Sequence, residues 1–96
     1  MFDTKNESLT RLFEAILKLE TTEECEQFFE DICTIKELQS IAQRVVVAKM
    51  LKEGRVYSEI VDKTGASTAT ISRVNRSLSY GNDGYDMVFK RLAEKK

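Results

Sequence analysis

A stretch from Ile35 to Glu53 is predicted to form a helix that is apolar on almost every side. Eight apolar residues occupy its middle: Ile41, Ala42, Val45, Val46, Val47, Ala48, Met50 and Leu51. A helix that is apolar all round is buried on all sides. Because a chain of 96 residues has few other elements to cover such a helix, we predict a homodimer in which a second copy covers it. The alternative is a monomer with this stretch as its core helix.

The rest of the chain favours an all-α fold. It contains no Pro and only 4 Gly, although both residues are frequent in folds rich in tight turns. Three further stretches repeat apolar residues at helical spacing: Leu9, Leu12, Phe13, Ile16 and Leu17; Cys25, Phe28, Phe29, Ile32 and Cys33; Tyr85, Val88, Phe89, Leu92 and Ala93. Thr21 or Thr22 is a candidate N-cap of the second helix. Thr34 and Glu37 predict a capping box at the start of the third helix, and Gly54 is expected to end it.

Residues 57–80 have the spacing of a helix-turn-helix, in which Gly65 separates two short helical stretches. Two short helices joined by a tight turn that contains Gly are typical of this motif. Four apolar residues fall where the two helices should pack against each other: Ile60, Ala66, Ile71 and Val74. The alternative is an ordinary helical hairpin with a solvated polar face.

The other positions of the second short helix carry small, hydroxylated or basic side chains. They are the candidate DNA-binding residues: Ser67, Thr68, Ala69, Thr70, Ser72, Arg73 and Arg76. Such side chains permit close approach to a groove and can bind phosphates and base edges. Because Ser and Thr are poor helix formers, helix stability alone does not explain their choice.

The net charge of −1 conceals an uneven distribution. Residues 1–48 carry 5 basic and 10 acidic side chains, net −5, whereas residues 49–80 carry 6 and 3, net +3. The basic segment includes the helix-turn-helix, where contact with DNA phosphates would require positive charge.

Several classes of function are disfavoured. The chain has no His, which removes the usual general base near neutral pH and the commonest metal ligand. Cys25 and Cys33 lie too far apart on one helix for a bridge and are predicted to be buried, reduced thiols. We therefore predict no enzyme activity, no metal and no cofactor. Since no secretion signal or membrane-length apolar run is present, we expect a cytoplasmic protein.

The segment Ala69-Thr70-Ile71-Ser72-Arg73, followed by Asn75, Ser77 and Leu78, is similar to the A-T-I-T-R-G-S-N-S-L pattern of the Trp repressor family. The chain resembles in particular the YerC/YecD group of Trp-repressor-related proteins. The resemblance covers nearly the whole chain and is closest from Cys33 to Leu78. It implies an intertwined, all-helical homodimer that binds palindromic operator DNA, here in the bacterial cytoplasm at the nucleoid.

The resemblance also implies a possible effector pocket, formed by Thr34, Arg44, Thr70, Arg73, Val74 and Ser77. Members that sense tryptophan hold the indole between two arginines, which Arg44 and Arg73 match. Val74 departs from the pattern, because tryptophan-sensing members carry Gly there. A branched side chain occupies space that a flat ring needs. We therefore expect no dependence on L-tryptophan: either Val74 partly substitutes for the corepressor, or the effector is a different small aromatic molecule. Arg44 has the alternative of an ion pair with a nearby Glu.

Together these features predict a single domain over residues 1–96, with dimerisation helices in 1–53, a helix-turn-helix in 57–80 and a closing helix in 84–96. The predicted function is a sequence-specific DNA-binding transcriptional regulator, and more specifically a repressor. The alternative is a helical protein-interaction or dimerisation module without DNA binding. Salt-dependent binding to duplex DNA distinguishes the two.

Overall fold

A computed structural model describes residues 7–94 of the chain. Over these residues there are six α-helices and no strand, so the all-α prediction is confirmed. The helices are α1 (Glu7–Ile16), α2 (Thr22–Ile32), α3 (Ile35–Lys52), α4 (Tyr57–Thr64), α5 (Thr68–Tyr80) and α6 (Gly84–Ala93). Residues 1–6 and 95–96, which belong to the predicted dimerisation and closing segments, lie outside the described residues.

The chain divides into two compact units, the first ending at Leu38 and the second beginning at Gln39. In the first unit, Thr21 is the N-cap of α2, and its hydroxyl accepts a hydrogen bond of 3.0 Å from the backbone N–H of Glu24. Neither α1 nor α2 has a buried residue. Cys25 is exposed and Cys33 only half-buried, so the prediction of two buried thiols is wrong for this chain. Among residues 7–94, no other element packs closely enough on the apolar stripe of α2 to bury any of its residues.

The predicted capping box at the start of α3 is present. The backbone N–H of Glu37 donates to Thr34 Oγ1 at 3.0 Å, and the backbone N–H of Thr34 donates to Glu37 Oε1 at 2.8 Å. At the other end, Gly54 has a φ of 83° and follows the last turn of α3, as expected for a glycine that ends a helix.

The hydrophobic core of the second unit contains seven buried residues from α3, α4, α5 and the turn between the last two. They are Val47, Ala48, Met50, Ile60, Ala66, Ile71 and Val74. All four residues that the spacing placed between the helices of the helix-turn-helix are among them, none more than 2% exposed. The motif predicted for residues 57–80 is therefore present as α4 and α5.

Helix α3 is covered on one side only. Val47 and Ala48 are fully buried, but Ile41, Val45 and Val46 keep 45%, 42% and 49% of their surface exposed. A single chain thus buries part of the apolar helix and leaves the rest open. The open part, Ile41, Val45 and Val46, is referred to below as the α3 apolar face.

Helix α6 is attached to the C-terminal part of α3 by polar as well as apolar contacts. Lys52 Nζ lies 2.7 Å from Asp86 Oδ1, and Lys49 Nζ lies 5.5 Å from the centre of the Phe89 ring. Tyr85 and Phe89 also pack against the core. No helix within residues 7–94 has the length and apolar character needed to span a membrane.

Candidate nucleic-acid interface

The turn between α4 and α5 has a conformation fixed by its sequence. Gly65 has a φ of 73°, in the left-handed region that glycine adopts readily, and its N–H donates to the carbonyl of Val61 at 2.8 Å. Ala66, one residue later, is buried against the core. The turn therefore stops α4 sharply and holds the start of α5 close to the core.

The seven candidate DNA-binding residues lie on the first part of α5 and its N-cap. Six of them are exposed and Thr70 is half-buried. Because Ile71 and Val74 pack inward, the small and basic side chains are presented outward from the same helix. The structure thus brings the seven residues into one continuous surface, which we call the α5 surface.

The basic residues of the second unit differ in their partners. Lys52 is paired with Asp86, and Arg55 is paired with Glu59 at 2.7 Å and with Glu53 at 3.5 Å. Within residues 7–94, neither Arg73 nor Arg76 forms an ion pair. These two guanidinium groups are therefore free to bind an anion without first breaking an internal pair.

Two of the candidate residues have a structural role that the sequence analysis did not assign. Ser67 is the N-cap of α5: its Oγ accepts from the backbone N–H of Thr70 and donates to Thr70 Oγ1, each at 3.1 Å. A serine directly before a helical stretch is a known N-cap signal, so the pattern was available in the sequence. The cap orders the first turn of α5, from which the exposed side chains of Thr68 and Ala69 project.

A pocket of about 190 Å³ lies between α3 and α5. It is lined by Ser40, Arg44, Ala69, Thr70, Arg73 and Val74, which include four of the six residues predicted for an effector pocket. Val74 is 2% exposed, so its side chain is packed into the interior. Arg44 Nη2 lies 3.5 Å from Ser40 Oγ, and Arg44 has no carboxylate partner among the described residues.

The other two predicted pocket residues lie elsewhere. Thr34 caps α3 through the bonds described above. Ser77 lines a separate, open cavity of about 550 Å³ with Val45, Tyr85, Met87, Val88 and Phe89. Within the chain, four of the predicted residues therefore line the polar pocket, Ser77 lines an apolar groove that borders the α3 apolar face, and Thr34 lines neither.

One polar contact between α3 and the helix-turn-helix has no counterpart in the sequence analysis. The side-chain amide of Gln43 donates from Nε2 to the backbone carbonyl of Thr64 at 3.1 Å, in a half-buried position. The two residues are 21 positions apart. No local pattern predicts such a bond, because it depends on how the helices pack.

Comparison with known proteins places these features in context. Residues 7–93 match the family described as Trp repressor protein. The chain is 56% identical over 90 residues to the uncharacterized protein YerC of Bacillus subtilis, covering 94% of this chain and 86% of that protein.

Two crystal structures are similar over most of their length. One is a TrpR-like protein from Eubacterium eligens, with a TM-score of 0.91 and 60% identity, covering 96% of this chain and 95% of that one. The other is a proposed Trp repressor from Staphylococcus aureus, with a TM-score of 0.90 and 53% identity over 96% and 92% of the two chains.

Proposed function

The chain belongs to the Trp repressor family, and from this membership we propose that it is a sequence-specific DNA-binding transcriptional regulator that acts as a repressor. The family is one of regulators and not of enzymes. The observation that carries the proposal is the α5 surface, where Arg73 and Arg76 are unpaired beside small, exposed hydroxylated side chains. Such a regulator works in the cytoplasm, on the DNA of the nucleoid.

In this mechanism α5 enters the major groove of operator DNA. Small side chains such as Thr68 and Ala69 allow its first turns to approach the base edges, and hydroxyls can bind either bases or phosphates. Arg73 and Arg76 supply the positive charge, because arginine binds guanine and phosphate through two parallel hydrogen bonds. Thr70 and Ser67 hold the first turn of the helix in place.

The functional unit in this proposal is a homodimer. The α3 apolar face consists of three residues that one chain leaves 42–49% exposed beside the buried Val47 and Ala48, and a second copy would cover it. In dimeric helix-turn-helix proteins, the Trp repressor among them, two recognition helices meet half-sites about 34 Å apart. A twofold dimer therefore pairs with a palindromic operator.

The regulator requires no L-tryptophan. Val74 occupies the interior side of the pocket between Arg44 and Arg73, and close-packed side chains are not displaced without cost. Isothermal titration with L-tryptophan should give no binding at micromolar concentration, with or without operator DNA. The variant Val74→Gly opens the pocket, and binding by this variant alone would identify Val74 as the barrier. Micromolar binding by the unaltered chain would contradict the proposal.

Titration of duplex DNA at several salt concentrations tests the function itself. Each phosphate that is neutralised releases counterions, so the logarithm of the binding constant should fall linearly with the logarithm of the salt concentration. Genome-wide recovery of bound DNA supplies the operator for the titration, and a shuffled duplex is the control. Absence of duplex binding, or binding with no salt dependence, would favour the protein-interaction module instead.

A further inference from the structure

The contact between α3 and the turn of the helix-turn-helix contains a single side-chain hydrogen bond among residues 7–94, surrounded by apolar packing. Gln43 Nε2 donates to the backbone carbonyl of Thr64, the last residue of α4. A carbonyl oxygen only accepts hydrogen bonds, so the amide nitrogen of Gln43 must face it. The last four carbonyls of a helix have no partner within the helix, and Gln43 donates a hydrogen bond to one of these carbonyls in α4.

The side chain of Thr64 makes two further hydrogen bonds. Its Oγ1 donates to the carbonyl of Ile60 at 2.7 Å and accepts from the backbone N–H of Ala66 at 3.1 Å. Ala66 is followed directly by Ser67, the N-cap of α5. A chain of directional bonds therefore leads from Gln43 on α3, through Thr64, to Ala66, the residue before the N-cap of α5.

The rest of this contact is apolar. Val47, Ala48 and Met50 of α3 belong to the same core cluster as Ile60, Ile71 and Val74. Apolar contacts are not directional, and they tolerate small changes in how one helix lies against another. A hydrogen bond requires a defined distance and angle. Gln43 thus limits the orientations that the turn can adopt relative to α3.

From this geometry we infer that Gln43 is a positioning residue for DNA recognition: through Thr64 it fixes the orientation of the α4–α5 turn, and hence of α5, relative to α3. The inference rests on the proposed function. Specific binding requires the α5 side chains to meet base edges at fixed positions, whereas contacts to phosphates on random DNA tolerate a wider range of orientations. If α5 can adopt more orientations, a smaller fraction of the molecules has the orientation that specific binding requires. The apparent affinity for the operator falls in proportion to this fraction.

Two variants of the full-length chain test the role. Gln43→Leu keeps a similar volume but removes the donor, and Gln43→Glu presents carboxylate oxygens to a carbonyl that cannot donate. Gln39→Leu is the matched control, because Gln39 lies one turn earlier on α3, is exposed and has a side chain that makes no hydrogen bond to another described residue. The measurements are dissociation constants for the operator recovered from the genome and for a shuffled duplex, each with its salt dependence.

Loss of one partner of a half-buried hydrogen bond should weaken operator binding by about tenfold in both Gln43 variants. Binding to the shuffled duplex and its salt slope should stay unchanged, and Gln39→Leu should behave as the unaltered chain. Equal losses on both duplexes, together with a matching loss of folded protein by circular dichroism, would show a merely structural role and overturn the inference. So would unchanged operator binding in Gln43→Leu.

A measurement on the unaltered chain covers the case in which the variants do not fold. Nuclear magnetic resonance should detect a scalar coupling across the hydrogen bond between the Gln43 side-chain amide and the Thr64 carbonyl, and its absence overturns the inference. If the unaltered chain does not prefer its operator to the shuffled duplex, the proposed function and this inference fail together. A preference for the operator that is as large in the Gln43 variants as in the unaltered chain overturns the inference alone.

Discussion

Helices α1 and α2 and the helix-turn-helix are built from similarly amphipathic segments, yet a single chain buries them to different extents. The second unit has seven buried residues, four of them in the helix-turn-helix, whereas α1 and α2 have none. One chain is therefore sufficient to form the core behind α5 but not to cover the apolar stripes of its N-terminal helices. We therefore expect the stability of α1 and α2 to depend on the second copy that we propose, and that of the helix-turn-helix to depend mainly on its own packing.

The largest difference should come from the core of the helix-turn-helix. Ile60→Ala removes a side chain that is 0% exposed, and such a change costs about 2 to 5 kcal/mol. The free energy of unfolding should fall by this amount in urea titrations, to a similar extent at low and high protein concentration. Ile35→Ala, at a residue that is 75% exposed in one chain, is the matched control. If Ile60→Ala lowered the free energy of unfolding by less than the control does, one chain would not form this core by itself.

The next effect should appear at the α3 apolar face. Val46→Glu places a charge on a surface that the proposed dimer buries, and an unpaired buried charge costs several kcal/mol. Sedimentation should show dissociation into monomers at concentrations where the unaltered chain is a dimer, with α4 and α5 still folded. Gln39→Glu, an exposed change on the same helix, should leave the dimer intact. A Val46→Glu protein that remained dimeric would place the interface elsewhere.

Changes on the α5 surface should affect binding and leave folding intact. Arg73→Ala or Arg76→Ala should weaken operator binding by about 1 to 3 kcal/mol if the lost contact is to a base edge, and lower the salt slope by about one if it is to a phosphate. Arg11→Ala in α1 is the control, since Arg11 lies on the exposed side of the other region. Binding unchanged by both α5 substitutions would remove this helix from the mechanism.

The smallest effect is expected from the helix N-caps, which have the same chemistry in both regions. Ser67 and Thr21 are both N-caps whose hydroxyls accept from a backbone N–H three residues later. Replacement of either by Ala should lower the free energy of unfolding by about 1 kcal/mol. Only Ser67→Ala should also weaken operator binding, because it loosens the first turn of α5. Equal effects of the two variants on binding would contradict the assigned role of α5.

The features that were predictable from the sequence depend on local spacing. Ile60, Ala66, Ile71 and Val74 could be assigned to the core because the helix-turn-helix spacing around Gly65 places apolar residues where its two helices pack against each other. The Thr34–Glu37 capping box was predictable for the same reason, since both partners lie within one turn. The family pattern located Arg44 and Arg73, which the structure places together at one pocket.

Features that depend on packing between helices were not predictable. The bond from Gln43 to Thr64 joins residues on different helices, and nothing in the neighbourhood of Gln43 distinguishes it from Gln39. The exposure of Cys25 follows from what one chain leaves uncovered, which a periodic stripe does not indicate. Ser77 matches a family position but lies with Tyr85 and Phe89 in another cavity, because it lies two turns further along α5 than Thr70, on about the same side of the helix.

Val46 and Val47 are identical neighbours with different surroundings, since successive residues on a helix point about 100° apart and only Val47 is fully buried. The defect caused by the same substitution should therefore depend on the level of expression at one of the two positions and not at the other. A defect at Val47 removes folded protein at any level of expression. A defect at Val46 would weaken the proposed dimer, whose association obeys mass action, so increased gene dosage should suppress it.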